Sequence, residues 1–324
     1  MREPNPGAAP RLWTIVLAAG EGKRLRRLTR ALHGEDLPKQ FAVLQGECSL
    51  LQTTVARTSR FSLPEHTVVV VAEEWEALAR AQLAGTGVQL VVQPKNRGTG
   101  PGLLLPLTFV LSRDPDAVVV VTPADHYVRD VDPLLETVKS AEALARRDGS
   151  IVLVGAVPER AETQYGWIVR APHSDRVARF QEKPLPAVAE ELFRTGALWN
   201  TFMMVGPAAR FWDLGREHLP TQARLLDAYR RAAKGAPAPE LLADAYRRMQ
   251  QADFSSDVLE HADRLRLVEL SPCGWSDWGT PTRVMQSLRG SEDHRVLLKR
   301  LKARARRPSS ETPRSTRPAH PRAA

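Results

Sequence analysis

Long apolar runs are missing from this chain of 324 residues. The longest of them, such as Val118–Val121, are far too short to cross a bilayer. The first residues are polar and contain proline, without the basic stretch and apolar core that a signal peptide needs. We therefore expect no membrane span and no secretory leader, and we expect a protein of the cytoplasm.

Cysteine is scarce as well. Cys48 and Cys273 lie far apart in the sequence and do not form the closely spaced pair that is typical of a structural metal site. Two free thiols suit a reducing compartment, and a disulfide framework is excluded. The hydrophobic content of 43% is enough for a sizeable core, in one large domain or two.

Acidic residues are nearly absent from the C-terminal segment Lys299–Ala324, which carries nine Lys and Arg residues against one acid, Glu311. Most of the net charge of +9 therefore lies in this segment, and the rest of the chain is close to neutral. From Arg307 onward the segment is also rich in Pro, Ser and Thr, which is typical of disordered chain. We predict a folded domain over residues 1–298 and a basic, disordered tail over residues 299–324. Nucleic-acid binding through the tail is an alternative, although a solvated tail is the simpler interpretation.

In the folded part, short apolar runs alternate with amphipathic stretches. The runs predict strands at Leu12–Leu17, Thr67–Val71, Val88–Val92, Ala117–Thr122 and Ile151–Ala156. The amphipathic stretches predict helices at Leu50–Ser59, Glu73–Leu83, Gly102–Leu111 and Pro133–Arg147. Continuous apolar strands that alternate with helices indicate an α/β fold with a doubly wound, mostly parallel sheet.

Chemically distinctive residues follow three of the predicted strands: Gly20–Arg24 follows the first, Gln93–Gly100 the third and Pro123–His126 the fourth. The carboxyl ends of parallel strands meet at one edge of such a sheet, and ligands bind there. The three clusters therefore predict a single site.

The first cluster belongs to the stretch "IVLAAGEGKRL", Ile15–Leu25. A strand that opens into a glycine turn presents backbone N–H groups to an anion, most often phosphate. The chain lacks the G-x-x-x-x-G-K-[ST] spacing of a P-loop, and Leu25 stands where a dinucleotide fingerprint needs its third glycine. Gly20 and Gly22 would allow phosphate to come close, and Arg24 and Lys39 would supply positive charge. On this stretch alone, an ordinary turn between strand and helix is an equal alternative.

The other two clusters add complementary chemistry. "QPKNRGTGPG", Gln93–Gly102, combines amides and glycines that suit the polar edge of a flat base. Asp125 ends a very apolar strand, where an unpaired carboxylate is costly unless it caps a helix or binds a cation. Capping is the commoner role for a lone aspartate, but beside a phosphate loop and a base loop we favour Mg²⁺.

"LAAGEGKRL" followed by "LPKQF" resembles the opening signature of the sugar-1-phosphate nucleotidyltransferases. "TPADHYV", "YGWI", "FQEKP", "WNTFMMV" and "GWSDWGTP" follow in the order found in the mannose-1-phosphate guanylyltransferases, so that the resemblance covers Trp13 to Met285. It implies a Rossmann-like, GT-A-like catalytic domain with additional strands and helices in its C-terminal half. It also implies transfer of a guanylyl group from GTP to α-D-mannose 1-phosphate, which gives GDP-mannose and pyrophosphate.

The resemblance further implies three groups of site residues. The nucleotide would be bound by Ala18, Ala19, Gly20, Gly22, Gln93, Pro94, Thr99 and Gly100. The sugar phosphate would be bound by Gly166, Glu182, Lys183 and Asn200. Catalysis would rest on Arg24, Lys39 and two carboxylates that hold Mg²⁺, Asp125 and Asp277. Taken one at a time, Glu182, Lys183 and Asn200 are more typical of plain turns, and only the order of the motifs favours a binding role.

The chain departs from the family pattern in three places. Ala18 and Ala19 stand where many relatives of this branch have paired glycines, and "GWSDWGTP" replaces the more usual Gly-Trp-Ser-Asp-Ile-Gly-Ser-Trp. The base loop, with Lys95 and Arg97, also differs from the common form. These departures bear on base selectivity more than on reaction type. Two alternatives stay open: a nucleotidyltransferase for another sugar 1-phosphate or nucleotide, and a non-catalytic sugar-nucleotide sensor. We expect no membrane partner, and a homo-oligomer remains open.

Overall fold

A computed structural model describes residues 12–233 and 238–305 of the chain. The described residues contain one sheet, whose nine strands are β1 (Leu12–Leu17), β2 (Thr67–Ala72), β3 (Gln89–Gln93), β4 (Val118–Pro123), β5 (Val152–Ala156), β6 (Trp167–Arg170), β7 (Val177–Gln181), β8 (Leu198–Pro207) and β9 (Arg266–Glu269). The five strands predicted from the apolar runs correspond to β1–β5, each within one residue at both ends.

The strands lie in the order β3-β2-β1-β4-β8-β5-β9, while β6 pairs with β8 and β7 pairs with β6. Neighbours from β3 to β4 are parallel, as are β5 and β9, whereas β8 runs antiparallel to both β4 and β5. The predicted α/β fold with a mostly parallel sheet is confirmed. The carboxyl ends of β1 and β4, which are direct neighbours, bring two of the three predicted clusters side by side.

The helices are α1 (Arg26–His33), α2 (Leu50–Thr58), α3 (Glu76–Gln82), α4 (Thr99–Arg113), α5 (Val131–Asp148), α6 (Pro186–Arg194), α7 (Ala208–His218), α8 (Pro220–Ala233), α9 (Pro239–Arg248), α10 (Pro281–Leu288) and α11 (Glu292–Ala305). The four predicted helices correspond to α2–α5. Helix α4 begins three residues before its predicted start, since Pro101 lies in its first turn, where a missing N–H costs nothing. Across the described ranges, no helix combines the length and the hydropathy that spanning a bilayer requires.

Both faces of the central strands β1, β2 and β4 are covered, which explains why these strands are almost continuously apolar. Along β1, Trp13 and Ile15 belong to the core on the side of α4, together with Leu103. Val16 points the other way and belongs to the core that includes Leu51 of α2. The side chains of Ile15 and Val16 are fully buried. Two covered faces leave the strand ends as the place where polar residues can reach a ligand.

The C-terminal boundary of the folded part differs from the sequence prediction. The predicted boundary after Leu298 falls inside α11, which continues to Ala305. Leu297 is fully buried, and the guanidinium groups of Arg300 and Arg304 donate hydrogen bonds of 2.9 Å to the backbone carbonyls of Val43 and His33. Residues 299–305 are therefore part of the fold, because their arginines cap loop carbonyls instead of facing only water. The remainder of the predicted tail lies outside the described residues.

Candidate active site

A cleft of about 540 Å³ lies beyond the carboxyl ends of β1 and β4. Its walls are formed by Glu21, Gly22, Lys23, Arg24, Leu25, Lys39, Asn96, Asp125, Lys183, Asp253 and Gly279. Among them are five residues that the sequence assigned to the site: Gly22, Arg24, Lys39, Asp125 and Lys183. These five residues come from distant segments of the chain and line one cavity in the fold.

The loop after β1 owes its shape to Gly22. Its φ of +59° lies in the left-handed region, and an added Cβ would come within 2.8 Å of the backbone nitrogen of Lys39. Gly20, in contrast, has no other group within 4 Å of an added Cβ. The buried amide of Gln40, a residue that sequence reasoning missed, donates hydrogen bonds of 2.7 Å to the carbonyls of Ala18 and Gly20. The loop is thus held from behind, and its N–H groups need no rearrangement to meet an anion.

Lys39 contacts both residues that were predicted to hold the metal, Asp125 through its carboxylate and Asp277 through its backbone. Its Nζ lies 3.1 Å from Oδ2 of Asp125 and donates a 2.5 Å hydrogen bond to the backbone carbonyl of Asp277. The Lys39 side chain is only 7% exposed, whereas that of Asp125 is 27% exposed. A buried ammonium is stable only when it is paired. Here its partners are the Asp125 carboxylate and the Asp277 carbonyl, so Lys39 holds these two residues in fixed positions. Arg24, which is half-exposed, lies 3.7 Å from Asp277 Oδ2.

An isolated antiparallel bridge explains how Asp125 and Asp277 come together from distant parts of the chain. Tyr127 and Ser276 exchange backbone hydrogen bonds of 2.9 and 3.0 Å, and the ring of Tyr127 stacks on Trp278 at 4.5 Å. The bridge aligns the segment after β4 with the segment before α10. It carries no sequence motif, which is why only the resemblance pointed to this pair.

Asp277 is a buried carboxylate surrounded by donors. Its Oδ1 accepts hydrogen bonds from the Tyr165 hydroxyl at 2.6 Å, the Gly279 N–H at 2.9 Å and the Arg283 guanidinium at 2.9 Å. Burial acts to raise the pKa of Asp277, but Lys39, Tyr165 and Arg283 together hold that pKa below its ordinary value. Burial, followed by the charge of Asp277, raises the pKa of Tyr165. Asp277 is therefore ionised, and the neutral hydroxyl of Tyr165 is a hydrogen-bond donor to it.

His126, next to Asp125, is neutral. Burial lowers its pKa to about 4, against the smaller opposing effect of the Asp125 charge. Its Nδ1 accepts a 3.3 Å hydrogen bond from the indole N–H of Trp275, as a neutral imidazole can. The histidine thus adds no positive charge to the cleft.

Three predicted sugar-phosphate residues are immediate neighbours. The N–H of Asn200 donates a 2.7 Å hydrogen bond to the carbonyl of Gly166, and a Cβ added at Gly166 would lie 2.6 Å from Glu182 Oε2. Lys183 adopts a φ of +39°, rare for a side chain of its size, and its Nζ lies 2.9 Å from Glu182 Oε1. Burial raises the pKa of Glu182, with the Lys183 ion pair opposing it. The Glu182–Lys183 ion pair therefore lies beside Gly166 and Asn200, whose side-chain Oδ1 accepts a 3.0 Å hydrogen bond from the N–H of Phe202.

The predicted base residues are placed differently, because the protein itself uses their polar groups. Gln93 is buried, and its Oε1 accepts a 3.3 Å hydrogen bond from the Tyr246 hydroxyl. Thr99 Oγ1 accepts from the N–H of Phe254 at 2.7 Å, and the N–H of Gly100 donates to Ala252 at 3.0 Å. In this loop, Asn96 is the residue that lines the cleft, and Pro94 lines a separate cavity.

Asp125 and Asp277 supply the oxygen donors that a hard divalent cation prefers. No cluster of three or more Cys, His, Asp or Glu side chains that could hold a metal occurs in residues 12–233 and 238–305. Mg²⁺ does not need one, since it commonly binds one or two carboxylates and keeps water or substrate phosphates as its other ligands. Asp125 lines the cleft, whereas Asp277 is not one of the wall residues, and its Oδ2 lies 3.0 Å from Arg283 Nη1 and 3.7 Å from Arg24 Nη2. The donor types therefore suit Mg²⁺, and Asp277 is the more enclosed of the two carboxylates.

The profile of the nucleotidyl transferase family matches residues 13–292. The alginate biosynthesis protein AlgA of Pseudomonas syringae pv. tomato is 30% identical over 276 residues, which cover 82% of this chain and 56% of that protein. A mannose-1-phosphate guanylyltransferase of Escherichia coli K12 is 30% identical over 292 residues, which cover 84% of this chain and 59% of that protein. The chain thus spans a little over half the length of these curated relatives.

A solved structure from Thermus thermophilus, described as a mannose-1-phosphate geranyltransferase, superposes with a TM-score of 0.75 at 30% identity. The match covers 86% of this chain and 79% of that one. The stretch that the family profile matches includes the loop after β1, Asp125 and Asp277. The chain belongs to the nucleotidyl transferase family.

Proposed function

We propose that this protein transfers a guanylyl group from GTP to α-D-mannose 1-phosphate, which yields GDP-mannose and pyrophosphate. The observation that carries the proposal is the convergence of Arg24, Lys39, Asp125 and Lys183 on one cleft at the strand ends. Relatives named mannose-1-phosphate guanylyltransferase support the choice of sugar and base.

Two anions must meet in this reaction, so the main task of the site is to neutralise and position them. The loop after β1, with Gly20, Gly22 and Arg24, would bind the triphosphate, and Lys39 would contact the same phosphates. Lys183 would bind the phosphate of the sugar, and Glu182 and Asn200 its hydroxyl groups. We place the base near Asn96 and the loop that holds Gln93, Pro94, Thr99 and Gly100.

The bond changes then need no covalent enzyme intermediate. An oxygen of the sugar phosphate forms a bond to the α-phosphorus of GTP, while the bond to the departing pyrophosphate breaks in line with it. A sugar phosphate is already ionised at neutral pH, so no general base is required. Members of this family generally use a divalent metal. We propose Mg²⁺, which Asp125 and Asp277 would hold and which would supply charge neutralisation and polarise the phosphates.

A panel of nucleoside triphosphates against sugar 1-phosphates, followed by pyrophosphate release, tests the proposal. GTP with mannose 1-phosphate should give the highest kcat/KM. A clear preference for another base or sugar would overturn the substrate assignment and leave the reaction type standing. Binding of sugar nucleotides without pyrophosphate release from any pair would instead favour a non-catalytic sensor.

A further inference from the structure

The proposed reaction does not use Arg283, although this arginine is one of the most enclosed charges of the site. Its side chain is 8% exposed, and its guanidinium lies between two carboxylates that are nearly as buried. Nη1 donates to both oxygens of Asp277, at 2.9 and 3.0 Å, and Nη2 pairs with Glu162. Arg283 therefore occupies the position of a cation between two anions.

The surroundings hold this guanidinium in place. Its central carbon lies 4.6 Å from the centre of the Tyr165 ring, and the hydroxyl of that ring donates to Asp277. An arginine guanidinium is not deprotonated in proteins. The positive charge is consequently permanent, and the carboxylate of Asp277 already has a counter-ion before any ligand binds.

We propose that Arg283 is the resident counter-cation of Asp277 and competes with a divalent cation for that carboxylate. The cation then binds the free protein weakly and enters the cleft together with the nucleotide phosphates. The inference rests on the two-carboxylate metal site of the proposed function. Arg283 acts through Asp277 and is thus a positioning residue, which sets the affinity of the site for metal and touches no reacting atom.

Mn²⁺ binding to the nucleotide-free, full-length protein, measured by electron paramagnetic resonance, tests the proposal without reference to turnover. In Arg283→Gln, the Mn²⁺ dissociation constant should fall about tenfold or more, the scale set by removing one nearby unit charge at an effective dielectric constant of about 20. Arg295→Gln is the matched control, since it removes an equal charge from an exposed ion pair on α11. It should leave the Mn²⁺ affinity unchanged.

A second variant is needed because Arg283→Gln leaves two buried carboxylates without their counter-ion and could unfold the protein. Glu162→Gln combined with Arg283→Gln removes one positive and one negative charge, so the net charge of the cluster is preserved while Asp277 is freed. This double variant should also bind Mn²⁺ more tightly than the wild type. Adding Asp277→Asn should abolish the gain, and circular dichroism should establish that each variant is folded.

Two results would overturn the inference: an unchanged or weaker Mn²⁺ affinity in the folded double variant, or a gain that persists after Asp277→Asn. The proposed function is judged separately by pyrophosphate release. Normal release with unchanged Mn²⁺ affinity in the variants would refute the role of Arg283 alone. Tighter Mn²⁺ binding in variants of a protein that releases no pyrophosphate would refute the proposed function alone.

Discussion

The ammonium of Lys39 lies 3.1 Å from the carboxylate of Asp125, and both groups line the cleft. Each of them arrives from a different segment, and each offsets the charge of the other. In the proposed reaction a phosphate contacts Lys39, which leaves Asp125 available to a cation. The pair therefore suits a site that must accept an anion and a metal together.

Removing either metal carboxylate should reduce turnover strongly. In Asp125→Asn and in Asp277→Asn, kcat/KM should fall by about 10² or more, because charge stabilisation by a bound ion contributes several kcal/mol. The melting temperature should fall further in Asp277→Asn, which removes the negative charge that pairs with Arg283 and leaves Tyr165 a weaker acceptor. If both carboxylates act on one ion, the double variant should be scarcely worse than the worse single one. Fully multiplicative losses would argue against a shared ion.

The two loop glycines should respond differently to alanine. Gly22→Ala should lower both the melting temperature and turnover, because φ is +59° and the new Cβ would meet the backbone of Lys39 at 2.8 Å. Gly20→Ala should leave the melting temperature unchanged, since its Cβ has nothing within 4 Å, and should raise only the KM for the nucleotide. Calorimetry and steady-state kinetics on this matched pair check the assignment. A Gly20→Ala variant with normal nucleotide KM would show that phosphate does not approach this glycine.

Glu182 should reduce stability at neutral pH, because its pKa is raised by burial. A carboxyl group whose pKa is higher in the folded state contributes stability below its unfolded pKa and loses it as pH rises through the folded value. Glu182→Gln should therefore melt at a higher temperature than the wild type at pH 7, with the difference vanishing below about pH 4. It should also raise the KM for the sugar phosphate. Glu190→Gln, on the exposed face of α6, is the control and should do neither.

Two truncations separate α11 from the chain beyond it. Ending the chain after Ala305 should leave the melting temperature and turnover nearly unchanged. Ending it after Leu298 should lower the melting temperature, because the bonds from Arg300 and Arg304 to the carbonyls of Val43 and His33 are lost. Equal stability of the two truncated proteins would mean that the last turns of α11 contribute nothing to the fold.

Sequence patterns predicted β1–β5 and α2–α5 well because their determinants are local, whereas they specified none of β6–β9 or α6–α11 individually. Each apolar run of β1–β5 is a continuous stretch, and Asp125 stood out because it ends one of them. The boundary after Leu298 was placed too early because a basic composition is typical of disordered chain. The hydrogen bond from Arg300 to the carbonyl of Val43 joins distant residues, and no local pattern predicts it.

The sequence did not predict the residues that surround Asp277, because these residues are far apart along the chain. Arg283 meets Glu162 across 121 positions, and Tyr165 meets Asp277 across 112. Neither pair has a spacing that a sequence pattern would reveal, and each of these residue types is common. The base loop is a second case: its composition predicted a ligand, but the Gly100 N–H, the Thr99 hydroxyl and the Arg97 carbonyl are bonded to the segment Ala252–Phe254.

The central claim, attack of a sugar phosphate on the α-phosphorus of a nucleotide, is tested most directly by isotope tracing. Mannose 1-phosphate labelled with oxygen-18 in its phosphate group is incubated with GTP, Mg²⁺ and the full-length protein. The masses of the products are then measured by mass spectrometry. The account predicts GDP-mannose that retains every labelled oxygen, together with an equal amount of unlabelled pyrophosphate. Labelled oxygen in pyrophosphate or in inorganic phosphate, or no GDP-mannose at all, would contradict it.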